Sequence, residues 1–181
     1  MIETSIRFTF FPRTEPPPKF SLEIVSVFKI HEEKISTTIL DKGLTSDGVL
    51  SEIREDLINL GFDVETGKRK GQKIERPVFF GENGVPTLKY EVDAFNEKWR
   101  CGLEIEAGRA VMGNAIYRDL IQALVMVQVD LLVLAVPNSY KYKSGGRLTI
   151  SNDYDKTTSV AETLFSHSRF QFPYSLLIIG Y

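Results

Sequence analysis

The stretch Leu131–Val136 is an unbroken run of apolar residues, and no other feature constrains the fold of this chain as tightly. It is far too short to cross a membrane as a helix, and such a run is typical of a strand buried on both faces. Just before it, Asn114 can cap a helix that runs to about Val129, and before that helix Trp99–Ala107 alternates apolar and polar residues as a strand does. A strand, a helix and a strand in succession imply a right-handed parallel crossover, and a parallel sheet has to be covered by helices on both faces. The expected class is therefore α/β, with a mixed central sheet flanked by helices.

The flanking sequence extends that core. Residues 4–11 and 20–30 are rich in β-branched and aromatic residues, and Pro16, Pro17 and Pro18 separate them, so two N-terminal strands are expected. From Thr45 to Leu60 the spacing turns helical, with Leu50, Ile53, Leu57 and Leu60 on one stripe, Ser46 or Asp47 as the cap and Gly61 as the stop. Phe62–Thr66 reads as a short strand and Gly67–Arg76 as a surface loop. Thr87–Phe95 reads as a strand joined through the turn Asn96–Lys98 to an antiparallel partner, Trp99–Ala107. A polar loop at Asn138–Arg147, a helix around Thr157–Ser168 and an apolar strand at Ser175–Tyr181 follow. At 181 residues this is one domain, 1–181: an N-terminal β extension over 1–44, a core of order α-β-β-β-α-β over 45–136, and a loop, helix and strand over 137–181.

Composition excludes more than it assigns. With 43% hydrophobic and 25% charged residues the chain is neither disordered nor fibrous, and a net charge of −2 means that any nucleic-acid contact has to use a local basic patch. The single cysteine, Cys101, allows no intramolecular disulfide, and His31 and His167 stand too far apart in sequence for a zinc motif. The first residues lack the pattern of a secretory signal, and no segment is apolar enough to span a membrane, so a cytoplasmic protein with no membrane partner is expected.

The chemistry is carried by acids. Along an extended Trp99–Ala107, the residues Trp99, Cys101, Leu103 and Ile105 share an apolar face while Glu104 and Glu106 share the other. A hairpin sets the strand bearing Asp93 about 5 Å away, near enough for Asp93 and Glu104 to reach one ion between them. Adjacent carboxylates raise each other's pKa and repel, and a hard divalent ion relieves that repulsion by taking their oxygens at about 2.0–2.1 Å. Mg2+ is the ion expected, with Mn2+ able to substitute. In phosphodiester hydrolysis such an ion generates the hydroxide nucleophile, orients the phosphate and stabilises the leaving oxygen.

Asp93, ten intervening residues and Glu104-Ile105-Glu106 on a neighbouring strand, followed by a helix and a buried strand, resemble the core of the PD-(D/E)XK nuclease superfamily. The lysine of that motif is replaced by Glu106, as in the Glu-x-Glu variant of BamHI/BglII-type restriction endonucleases, and the residue before Asp93 is Val92 rather than proline. The resemblance covers roughly residues 46–136. It implies a restriction-endonuclease-like fold in which Asp93 and Glu104 bind the metal and Glu106 either binds it too or accepts a proton from the attacking water. Members of the superfamily often add an acid from the first helix, a place that Glu52 or its rival Asp56 would fill.

Groups suited to DNA surround these acids in the sequence. The segment Gly67–Arg76 carries five positive charges, among them Lys68, Arg69 and Lys70, as phosphate contacts require. Arg109, Asn114 and Arg118 follow the acidic strand and open the next helix, whose N-terminal amides favour an anion. Arg109 is suited to a bidentate phosphate contact, and Arg118 either to the same groove or to a site carboxylate. Trp99 and Cys101 belong to the core, and Ser166-His167-Ser168 does not form a serine-hydrolase site.

The function expected is a magnesium-dependent DNA endonuclease hydrolysing phosphodiesters, of a type II restriction-like kind within restriction-modification. Its partner is double-stranded DNA, and the chain is expected to be a homodimer because cutting two strands commonly uses one site per strand. Two alternatives share the fold: a nuclease of repair or mobile elements without sequence specificity, and a catalytically inactive DNA-binding or assembly module.

Overall fold

Two periodicities, of two residues and of three to four, decide the architecture along the computed structural model, which describes residues 4–108, 110–111 and 113–181. Strand β1 (Arg7–Phe11) is followed by helices α1 (Lys19–Ile30), α2 (Glu32–Ile35) and α3 (Ser46–Asn59), and by the short strand β2 (Asp63–Val64). Strands β3 (Ile74–Phe80) and β4 (Pro86–Val92) make a hairpin. Next come β5 (Ala94–Asn96), β6 (Cys101–Ile105), α4 (Ala115–Val125) and β7 (Leu131–Val136). A second hairpin, β8 (Tyr140–Ser144) with β9 (Arg147–Ser151), precedes α5 (Asp153–Ser166) and β10 (Ser175–Gly180).

The central sheet has the order β1-β10-β7-β6-β5-β2. β6, β7 and β10 run parallel, while β1, β5 and β2 pair antiparallel, so the sheet is mixed and flanked by helices, as expected. Every residue of β7 is buried, and its side chains divide between two cores by simple alternation. Leu131, Val133 and Ala135 join the residues of α1 and α3, whereas Leu132, Leu134 and Val136 join those of α4 and α5. Each Leu or Val among them contributes on the order of 1.5–3 kcal/mol by leaving water, which makes the sheet a rigid floor for whatever its edges carry.

Several expected elements differ. Residues 20–30, read as a second N-terminal strand, lie in the helix α1: Ser21, Ile24, Val25, Val27 and Phe28 are buried at three-to-four spacing, and that periodicity overrides the β-branched composition. The three prolines are its lead-in, with Pro18 at the N-cap. The cap of α3 is Thr45, whose hydroxyl accepts the Gly48 N–H at 3.1 Å, rather than Ser46 or Asp47. Asn138–Arg147, read as a loop, contains β8 and the start of its partner. Gly145 and Gly146, at φ of 57° and 79°, supply the two left-handed positions that a tight hairpin turn needs. Finally, Thr87–Phe95 is not one strand: it breaks at Asp93. Among the described residues no helix is long and apolar enough to cross a membrane.

Candidate functional site

The break at Asp93 builds the site. β4 pairs with β3 as far as Val92, and β5 pairs with β6 from Ala94 onward, so Asp93 is the one residue at which the chain changes ladders. Its own carboxylate secures the change, because Oδ2 accepts the backbone N–H of Ile105 at 2.7 Å. On the opposite side the Asp93 carbonyl accepts the N–H of Glu65 at 2.8 Å. Asp93 is thereby held beside Glu104, one step beyond the Ala94–Leu103 pair.

Glu104 pairs in register with Leu134 and shares its face, while Leu103 and Ile105 point into the α1–α3 core, which is the two-faced strand expected from the alternation. Glu106 follows on the Glu104 side and is fixed by its backbone. Its N–H donates to the Ala135 carbonyl at 2.9 Å, and its carbonyl accepts the Tyr181 hydroxyl at 2.7 Å. From α4, whose residues Ile116, Leu120 and Ala123 are buried against the sheet, Asp119 reaches the same place with a side chain only 1% exposed.

Together these residues line a pocket of about 610 Å3. Seven acidic side chains border it, Asp47, Glu65 and Glu91 besides the four just described, against the four basic ones Lys68, Lys73, Lys89 and Arg118. Acidic groups therefore outnumber basic ones around this space. Burial pushes Asp93 up to about 7, with the charges of Glu65, Asp119 and Asp47 adding to it and the Ile105 amide opposing it. Glu104 is driven well above the ordinary range, first by burial and then by Asp93 and Asp119. Glu106 rises to about 7 for the same reasons, burial and then the charge of Asp119, with Arg118 opposing. Asp119 and Glu65 are also raised by burial. Several acids whose pKa values are raised together in this way form a site that gains by admitting a cation.

Arg118 partly answers that need. Its Nη2 lies 2.9 Å from Glu106 Oε1 and 2.9 Å from Asp119 Oδ1, so one nitrogen bridges the two carboxylates. Asp119 Oδ2 is buried with no hydrogen-bond partner among the described residues. No three His, Cys, Asp or Glu side chains among the described residues stand close enough together to hold a metal ion as they are. The donor set itself, hard carboxylate oxygens with one of them buried and unpaired, suits Mg2+ or Mn2+. Asp93, Glu104 and Glu106 are the residues that would hold such an ion.

Not every expected site residue reaches the pocket. Asp93, Glu104, Glu106, Arg118 and Lys68 do. Glu52 does not: it pairs with Lys34 at 3.1 Å, and Asp56 pairs with His31 at 2.7 Å, leaving the first turn of α3 to contribute Asp47. Lys68 stands 3.2 Å from Asp47, whereas Arg69 and Lys70 are exposed on the loop outside the lining. Asn114 occupies the N-cap of α4 with left-handed backbone, but its side chain makes no capping bond, and it too is outside the lining. Arg109 lies outside the described residues. Arg76, counted among the loop cations, stacks on Phe95 at 3.6 Å and pairs with Glu97, a structural use.

Asp119, Glu65, Asp47 and Glu91 are the pocket acids that the sequence reading does not place in the site. Asp119 had a signal, since an aspartate inside the apolar stripe of α4 between Ile116 and Leu120 is out of place unless something binds it. Glu65 shows itself only through the strand pairing that puts it opposite Asp93.

No protein-family model matches the chain, and no curated protein matches it in sequence. Among solved structures it is similar to the crystal structure of restriction endonuclease BglII complexed with a DNA 16-mer. That match has a TM-score of 0.53 at 11% sequence identity and covers 98% of this chain and 78% of the other. The likeness shows the fold, which is restriction-endonuclease-like.

Proposed function

We propose that this chain is a divalent-metal-dependent DNA endonuclease of the PD-(D/E)XK type, in its Glu-x-Glu form, that hydrolyses phosphodiesters in a restriction-like role. The observation that carries the proposal is the meeting of Asp93, Glu104 and Glu106 in one acid-rich pocket of a restriction-endonuclease-like fold. Asp93 and Glu104 act as ligands to Mg2+, with Mn2+ able to replace it. The ion, when bound, supplies an acidified water and a Lewis acid for the phosphate. Glu106 lies beside the ligands as a further donor or as the acceptor of the water's proton, and the elevation of its pKa to about 7 suits a general base at neutral pH.

The substrate in this proposal is double-stranded DNA, whose phosphates are met by Lys68, Lys73, Lys89 and Arg118 around the pocket and by Arg69 and Lys70 on the loop beyond it. Residues 1–181 act as one domain, and two copies act together, one site per strand.

One observation favours a second reading, an inactive nuclease-fold module that binds DNA. Arg118 already supplies positive charge to Glu106 and Asp119, and no acidic trio stands ready for an ion among the described residues. Supercoiled plasmid incubated with the purified chain separates the two. Nicking or linearisation with Mg2+ or Mn2+ that is abolished by EDTA, by Asp93→Ala and by Glu104→Ala supports the nuclease. Retention of the plasmid without any cutting in either metal supports the inactive module.

A further inference from the structure

The pairing of Arg118 with Asp119 is a poor one for the groups involved. A guanidinium meets a carboxylate best with two parallel N–H bonds, one to each oxygen. Here both Nε and Nη2 address Oδ1, at 2.9 Å each, and Oδ2 is left buried and unpartnered among the described residues. The exposures are just as unequal: the Arg118 side chain is 59% exposed, while those of Glu106 and Asp119 are 17% and 1% exposed. The acids are thus set in the wall of the pocket, and the cation that serves them reaches in along a largely solvated arm.

We propose that Asp119 belongs to the ion-binding set together with Glu106, and that the Arg118 guanidinium bridging them is an internal counter-ion which an incoming divalent cation displaces. This rests on the reading of the pocket as a metal site. A guanidinium carries one charge and binds through N–H groups about 2.9 Å from an oxygen, whereas a divalent ion carries two and holds oxygens at about 2.1 Å. The ion therefore neutralises two carboxylate charges where Arg118 neutralises one, and it offers Oδ2 of Asp119 a partner. Arg118, once displaced, keeps its charge and its reach, so it turns to the anion that enters with the metal, a phosphodiester oxygen of the substrate. The same side chain fills the site when it is empty and serves the substrate when it is full.

The test is Mn2+ binding to the full chain without DNA, read by electron paramagnetic resonance of free Mn2+ and by the rise in melting temperature on adding the metal. Asp119→Asn is expected to weaken Mn2+ by about tenfold or more, and Arg118→Gln to tighten it by a comparable factor. Lys89→Gln removes another pocket cation that is paired elsewhere, and it is expected to change Mn2+ binding less than Arg118→Gln does. If Asp119→Asn does not fold, Arg118→Gln against Lys89→Gln decides. Wild-type binding that Asp93→Asn abolishes but Asp119→Asn and Arg118→Gln leave unchanged overturns this inference and keeps the metal site. Equal tightening by Arg118→Gln and Lys89→Gln overturns the displacement. Absence of Mn2+ binding in wild type and every variant overturns both.

Discussion

Oδ2 of Asp93 accepts the backbone N–H of Ile105 at 2.7 Å, so the residue proposed to bind metal also clamps the point where β4 gives way to β5. The two duties separate by substitution. Asn at this position keeps an oxygen for the Ile105 N–H but loses the charge, whereas Ala loses both. Asp93→Asn is expected to melt near wild type without metal and to lose plasmid cleavage by about two orders of magnitude or more. Asp93→Ala is expected to lose cleavage and, in addition, about 1–3 kcal/mol of stability as a buried N–H goes unpaired. Chemical denaturation and plasmid nicking on both variants check this, and cleavage by Asp93→Asn at the wild-type rate contradicts it.

The raised acids set the sign of a pH dependence. Asp93 and Glu106 titrate near 7 in the folded chain against 3.8 and 4.5 when unperturbed. The folded state then holds protons that the unfolded state has released, so this contribution to stability is present below about pH 4 and is lost as pH rises toward about 7. The metal-free protein in EDTA is expected to melt at a lower temperature at about pH 8 than at about pH 5, and the difference is expected to shrink in Asp93→Asn. Mn2+ added at the higher pH restores melting because it binds the ionised forms. Melting curves at both pH values test this, and a drop of the same size in Asp93→Asn counts against it.

Lysines ring the pocket and pair with acids at its rim. Lys68 is 3.2 Å from Asp47, Lys89 is 2.9 Å from Glu75, and Lys73 pairs with Glu91, so each already has an acidic partner near the rim. Lys68→Gln and Lys73→Gln are expected to weaken binding of a labelled duplex whatever its sequence and to lower the slope of log affinity against log salt by about 1 for each phosphate that is no longer neutralised. Anisotropy titrations at several salt concentrations measure that slope. A slope unchanged in both variants argues against any approach of these lysines to the DNA backbone.

Glu52 points to Lys34 rather than into the pocket, in an ion pair at the protein surface. Glu52→Ala is expected to leave plasmid cleavage within about twofold of wild type and to change stability by less than about 1 kcal/mol. A tenfold or greater loss of cleavage at unchanged melting temperature would return Glu52 to the site.

The parts of this molecule that follow a local period are legible in the sequence. Leu131–Val136 reads as a two-faced buried strand because six apolar residues in a row admit little else, and Glu104 and Glu106 read as neighbours because a strand repeats every two residues. Asp93 is legible as well, although through a simpler geometry than the real one: the sequence suggests a continuous hairpin, and the change of ladder at Asp93 depends on the β3–β4 pairing, which no local pattern records. Reading α1 as a strand weighs composition above spacing, when Ile24, Val25, Val27 and Phe28 repeat as a helix does. Glu65 and Asp47 enter the pocket through long-range packing alone, whereas Asp119 is visible as a charge within an apolar stripe.

The central claim is that these carboxylates converge on a divalent cation. The most direct measurement is anomalous diffraction from a crystal of the protein soaked in Mn2+. The account predicts a strong peak bounded by oxygens of Asp93 and Glu104, with Glu106 and Asp119 at its edge and Arg118 drawn away. A soaked crystal with no peak in this pocket, or with its only peak elsewhere on the molecule, contradicts it.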